Sequence, residues 1–355
     1  MIAALIVALV LPVLGAPTAP AAPPPPITQL FSPTSIWNTA LPGNAAVDGG
    51  SARLTNALID QKNRYGPWIN TTSFSTPVYR VPAGQAGVRV WIDHAPSSNA
   101  DQLQSDLGAV PIPKGAEPSP DSDSRMVVWQ QSSDRQWEFW HMSWQPTGLK
   151  PGWHAGWGAV IEHVSQSPGI NPWPFGATAS GLALMGGLIT TDDVRSGSIN
   201  HALALGVPLT TQGVAVAPAN RSDGHYGGAS AIPEGTRFRL DPSLDLDSLG
   251  LPPATLEIAR AAQRYGMIVR DGSGSVSLYA EEPTSSNPYP AWFGGSSPGK
   301  LLQGFPWSRL EALPPNPGDG TPVRIAAKPK RHAKKHHHKR RHHTRHKHHA
   351  KHSHR

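Results

Sequence analysis

The chain of 355 residues has no cysteine. That excludes a disulfide framework, a thiolate zinc site and a cysteine nucleophile, so stability must come from the hydrophobic core. Long apolar runs are also missing. The run at the N-terminus, Ile2 to Leu14, has the length of a signal-peptide apolar region and falls short of the ~20 residues that cross a bilayer. No GxSxG, P-loop, HExxH or dinucleotide fingerprint is present. The stretch "GATASGLALMGGLIT", Gly176 to Thr190, is rich in Gly and Ala but lacks the GxGxxG order, so it reads as tightly packed loops.

Acid is absent from one end. Residues 328–355 hold twelve Lys and Arg, eleven of the seventeen His, and no Asp or Glu. The formal charge of +7 therefore comes from this tail; without it, nineteen bases face twenty-four acids. The remainder is a mildly acidic domain with six histidines: His94, His141, His154, His163, His201 and His225. The chain divides into a signal peptide (1–21), a Pro-rich spacer (22–26), one β-rich domain (27–313), a linker (314–327) and the basic tail. Twelve fixed positive charges without interleaved aromatic residues suit anionic polymers of a cell envelope better than stacked nucleic-acid bases. The expected setting is a secreted, envelope-associated monomer with no membrane span after cleavage.

Pro (38) and Gly (35) make about a fifth of the chain, as in a turn-rich β protein. Alternating segments dominate: Val88 to Ala95, Arg125 to Gln130, Arg135 to Trp144 and Trp153 to Val164, with later segments ending in "GMIVRDGSGSVSLYAE". That last pair reads as a hairpin turning at Asp271 to Gly274. Helices are expected at Ser51 to Gly66 and Pro252 to Gly266, and a short one after Thr190 or Thr191 that breaks at Gly197. The fold class is mainly β, a β-sandwich or jelly-roll-like domain with two or three short helices.

Seven of the twelve tryptophans lie between Trp129 and Trp173. Period two places Trp137, Phe139 and His141 on one face of the middle strand, and Glu138, Trp140, Met142 and Trp144 on the other. On the next strand Trp153 and Trp157 share a face, opposite His154 and Glu162. Either a second layer covers the surplus aromatic face, or it forms the wall of a sugar-binding cleft. In the second case Trp137, Trp140, Trp144, Trp153, Trp157, His154 and Arg195 are the candidate substrate contacts, Arg195 through a uronate carboxylate.

Glu138 sits between Trp137 and Trp140 and is a candidate acid, paired with Glu162 or Asp223 in a two-carboxylate glycosidase site. "SDGHYGG" offers Asp223, His225 and Tyr226: a His and a Tyr of the kind that act as base and acid in polysaccharide lyases, with an Asp to fix the tautomer. The plainer reading is a Gly-rich turn bonding to its own backbone. His201, at the edge of an apolar run, is a further catalytic candidate or a hydrogen-bonded core histidine. His154, Glu162 and His163 have no recognisable metal spacing, and no metal or other cofactor is expected.

"GATASGLALMGGLITTDDVRSGSINHALAL", followed by "SDG", "IPEGTRFRLDP" and "ARAAQRYGMIVRD", resembles an uncharacterised family of secreted actinobacterial proteins, from about Phe31 to Glu281. The resemblance implies an exported β protein and carries no assigned activity. The function expected from the residues is a carbohydrate-active protein, either a polysaccharide lyase or a glycosidase; the alternative is a non-catalytic glycan-binding or structural protein of the envelope.

Overall fold

A computed structural model describes residues 30–95 and 97–315, with the backbone of 324–326. The signal peptide, the spacer and the tail lie outside the described residues. Within the expected linker, the backbone of Arg324–Ala326 pairs antiparallel with Val214 to Val216.

The protein is mainly β, with its strands in four sheets and few, short helices. Two large sheets stack face to face. One is mixed and six-stranded, in the order Pro67–Asn70, Val276–Tyr279, Leu203–Val207, Met267–Gly272, Arg237–Leu240, Leu310–Leu313. The other is five-stranded: Glu281–Glu282, Thr76–Arg80, Met126–Gln130, Arg135–Trp140, Trp157–Ile161. Ala204 and Ile268 of the first meet Val78, Val127 and Trp129 of the second, and Trp37 and Leu184 from loops wedge between them.

Helices close the outer face of the six-stranded sheet. Ser51–Tyr65 and Pro253–Arg264 form where the apolar periodicity places them, and bury Leu54, Leu58, Ile258 and Ala262 against Leu205, Phe238 and Val269. Full burial of a side chain such as Leu58 stabilises by about 2 kcal/mol. The short third helix, Thr191–Ser196, has the capping box its sequence implies, Thr190 against Asp193, and ends at Gly197 with φ 67°. The helix Ser98–Asp106, capped by Ser97, was not expected.

The same helix and a small sheet of Val90–Ile92, Gly152–Ala155 and Ser143–Gln145 cover the far face of the five-stranded sheet. The strand Arg135–Trp140 is therefore sealed on both sides. Trp137, 2% exposed, and Phe139 enter one core; Gln136 and Glu138 are buried on the opposite side. The covering layers bury Trp129, Trp137 and Phe139, while Trp153 and Trp157 stay half-buried and Trp140, Trp144 and Trp173 exposed.

Three expectations fail here for physical reasons. The segment Trp153 to Val164 is not one strand: Gly152–Ala155 belongs to the small sheet and Trp157–Ile161 to the five-stranded one, so Trp153 and Trp157 share no face. Strict alternation ends at Trp140, because His141 has φ 55° and turns the chain into the small sheet. Met142 consequently joins Trp137 and Phe139 in one core instead of sharing a face with Glu138. The strands flanking Asp271 to Gly274 form no hairpin, since Leu203–Val207 inserts between them.

Candidate functional site

The sealed strand ends at an open cavity. Trp140 and Trp157 are cross-strand partners at the rim of the five-stranded sheet, and both line a cavity of about 790 Å³. Trp140 is 36% exposed, in contrast to Trp137 three residues earlier. Trp173 comes from the loop opposite and is also exposed. That loop is held firmly. Arg221 donates to the carbonyls of Pro174, Phe175, Gly176, Thr178 and Ala179. The Trp157 indole N–H donates to Pro174 O at 3.0 Å, and Phe175 stacks on its ring.

The other wall is "SDGHYGG". Its backbone straps onto the strand Thr210–Val216: Tyr226 N donates to Thr210 O and Gln212 N to Tyr226 O. Gly224 is required because a Cβ there would sit 2.2 Å from Thr211 O. The glycine thus serves close approach to a strand. The result nevertheless points Asp223, His225 and Tyr226 into the cavity, all three exposed. Asp223 has no side-chain hydrogen bond among the described residues, and it does not orient His225, whose ring lies 4.2 Å from that of Tyr226.

The floor is ionic. Arg125 reaches Asp123 at 2.7 Å and Asp271 at 3.3 Å, and its guanidinium lies 5.5 Å from the centre of the Tyr279 ring. Burial pushes the Asp271 carboxyl up to about 6, against the opposing pull of Arg125. Behind it, Glu234 is fully buried. Ser222 and the Asp223 backbone are close enough to act on its charge, but neither carboxyl oxygen has a partner in hydrogen-bond geometry. Burial, reinforced by Asp271, pushes this carboxyl up to about 8.

Five of the twelve sequence candidates therefore meet: Trp140, Trp157, Asp223, His225 and Tyr226. The others go elsewhere. Glu138 is sealed beneath the cavity, where it accepts from Ala177 N (2.9 Å), Leu184 N (2.7 Å) and Asn171 Nδ2 (2.8 Å). It anchors the loop from Asn171 to Leu184, and Glu162 pairs instead with Arg135. His154 is buried with both ring nitrogens engaged, by Asp93 (2.8 Å) and Lys150 O (2.7 Å). Trp137 is core. Trp144 and Trp153 pair edge to face at 5.5 Å on the small sheet. Arg195 pairs with Asp192 and Ser286 and does not line the central cavity.

His201 occupies a second cavity of about 430 Å³. Its Nε2 bonds Asp193 at 3.1 Å and its Nδ1 bonds Ala202 O at 2.9 Å. Both partners are acceptors, an arrangement that suits the charged, doubly protonated ring. The Asp193 contact raises the His201 pKa against its burial; the same contact, with Thr190, lowers that of Asp193.

Sequence reasoning missed Asp123, His94, Trp173 and Asp271. Asp271 was read as a turn residue, and only its position beside Arg125 in three dimensions distinguishes it. Among the described residues no group of three or more His, Asp or Glu is placed to hold a metal ion, and no helix is long and apolar enough to cross a membrane. The chain matches no protein family model, no curated protein and no solved structure.

Proposed function

We propose that this cavity is the glycan site of a carbohydrate-active protein, and that its chemistry is glycoside hydrolysis. One observation carries the reading: Trp140, Trp157 and Trp173 open into the cavity that also holds the exposed Asp223 and the buried Asp271. Indole faces suit the flat C–H surfaces of sugar rings. Hydrolysis needs one carboxyl that keeps its proton near neutrality and a second that is ionised. Asp271, raised to about 6, suits the proton donor to the leaving oxygen. Asp223 suits the carboxylate that acts at the anomeric carbon, directly or through water. Arg125 holds Asp271 in place.

A lyase has less support. It must receive a uronate carboxylate, and both cavity arginines are committed, Arg125 to two aspartates and Arg221 to five carbonyls. The apolar leader and the basic tail extend the proposal to an exported protein held at the cell envelope by anionic polymers.

Incubation of the full-length protein with a panel of neutral and acidic polysaccharides tests the reaction. New reducing ends from the wild type, lost in Asp271→Asn, are the expected result. Binding without any new ends would leave a non-catalytic glycan-binding protein, a reading favoured by the direct ion pair that Asp271 makes with Arg125. No binding to any member would overturn the glycan reading.

A further inference from the structure

The glycan cavity is not isolated. A second hollow of about 550 Å³ adjoins it at Asp123, Arg125, Gly272 and Ser273, which line both. A third, of about 500 Å³, shares His94 and Trp140 with it. Each has the volume of a complete small-ligand pocket, roughly 300–1,000 Å³. Shared lining residues set the three hollows in a row, a groove whose Asp223–Asp271 cavity adjoins both of the others.

Exposed aromatic side chains follow this groove. Among the described residues the large aromatics left most exposed are Trp68, Phe74, Trp140, Trp144, Trp173 and Tyr226. All but Trp144 line the central cavity or the hollow beyond Arg125. Trp68 and Phe74, each 44% exposed, stand in that second hollow, away from the central indoles. Trp68 points outward from the edge strand of the six-stranded sheet, while its neighbour Ile69 is fully buried. Phe74 is held at φ 51°, a costly conformation for a residue with a Cβ. Asp121 accepts from its backbone N–H at 2.5 Å, and its carbonyl accepts from Asn70 at 3.3 Å. Protein contacts therefore maintain an outward-facing ring that packs on no core.

Carboxylates outnumber arginines along the groove. Asp123, Asp223 and Asp271 line it, and its two arginines are engaged by the protein itself. Among the described residues, none that lines the groove offers a free guanidinium or ammonium to an acidic sugar.

We infer that the groove binds an extended chain of neutral sugars threaded along it, with Trp68 and Phe74 as a remote platform for rings beyond the central site. This rests on the glycan reading above and adds the substrate class: a polymer gripped internally rather than a small saccharide or an acidic glycan. The remote platform contributes affinity only when the chain is long enough to reach it.

The test uses the full-length protein and tryptophan-fluorescence or calorimetric titration. The probes are oligosaccharides of glucose, mannose and N-acetylglucosamine, from disaccharide to octasaccharide, with oligogalacturonates of the same lengths. Affinity for a neutral series is expected to climb with length. The double substitution Trp68→Ala, Phe74→Ala is expected to weaken octasaccharide binding about tenfold and to flatten the length dependence. Thermal melting of the variant monitors its fold, and the single Trp68→Ala provides a milder second variant. Length-independent affinity, or an octasaccharide affinity untouched by both variants, would overturn the platform while leaving the central site standing. Tighter oligogalacturonate binding that Trp140→Ala weakens would overturn the neutral-chain assignment, since binding through the basic tail would not feel that substitution. Absence of binding to every series would remove the glycan reading itself, and this inference with it.

Discussion

The larger cavity presents Asp223, His225 and Tyr226 to solvent with few internal contacts, whereas the cavity around His201 keeps an Asp–His pair fully hydrogen-bonded. Both sites contain the residue types that chemistry uses. They differ in whether the protein has already consumed the donors and acceptors. In Asp193–His201, both imidazole nitrogens and an aspartate oxygen also shared with Thr190 are spent on the fold. Around Asp223 they are left for a ligand. The satisfied Asp193–His201 pair is evidence for structure, and unsatisfied groups in a cavity are evidence for function; Asp271, ion-paired with Arg125 yet lining the cavity, stands between the two.

The sharpest break of this comparison is kinetic. Asp271→Asn is expected to lower glycan cleavage by at least about 10²-fold, the usual contribution of a positioned acid. His201→Gln should leave turnover on the same substrate unchanged below its melting temperature. Equal losses in both variants would show that the two cavities act as one site or that neither is catalytic.

The next effect concerns a carboxyl that the protein buries without partnering. Glu234 is raised to about 8, so folding holds its proton while the unfolded chain releases it near 4.5. A raised carboxyl costs stability as pH climbs from its unfolded value toward its folded one. Glu234→Gln should therefore match the wild type near pH 4.5 and become more stable above it, by up to about 3 kcal/mol at pH 7. The gain should level off above pH 8. Melting curves across that range check it, and a gain that shrank with rising pH would reverse the assignment.

These contrasts also mark what could be read from residues alone. The helices at Ser51 and Pro253 follow from apolar spacing and from their Pro and Gly boundaries, which are local. The antiparallel pairing of Met126–Gln130 with Arg135–Trp140 follows from alternation and a short turn, whereas that of Arg135–Trp140 with Trp157–Ile161 does not, because the chain between them departs into the small sheet. Glu138 was misplaced because period two reports which face a residue takes, not whether another sheet lies on that face. Asp271 went unnoticed because its partner Arg125 is far away in sequence, and because strand Leu203–Val207 separates the two segments that looked like a hairpin. His225 and Tyr226 were legible as a cluster, though their placement depends on pairing with Thr210 and Gln212 that no local pattern announces.

A smaller effect tests the closed pair directly. His201 has a raised pKa, so its charged contact stabilises fully below the unfolded value near 6.5 and is lost as pH rises through the folded value. Asp193, lowered by the same contact, adds stability above its unfolded value near 3.8 and loses it on acidification. His201→Gln should thus cost about 2 kcal/mol, the range of a charged hydrogen bond, between roughly pH 4 and 6.5. The cost should narrow toward alkaline pH. Urea denaturation at several pH values measures it, and a cost independent of pH would mean that the ring packs as a neutral histidine.

The smallest predicted effect separates neighbours on one stretch of chain. Trp140 and Trp144 are both exposed, but only Trp140 lines the central cavity, while Trp144 leans on Trp153 on the small sheet. If exposure alone made a sugar platform, alanine at either position would weaken glycan binding equally. If the cavity decides, Trp140→Ala should cost about 1 kcal/mol of binding free energy, the worth of one aromatic contact, and Trp144→Ala should leave affinity within error. Both variants should melt close to the wild type, because neither ring is buried in the core and surface changes of this kind stay near ±0.5 kcal/mol. Titration of the two variants with one neutral octasaccharide measures the difference. Loss at Trp144 alone would move the binding surface from the cavity to the small sheet, and Asp223 and Asp271 would then lie beside no substrate.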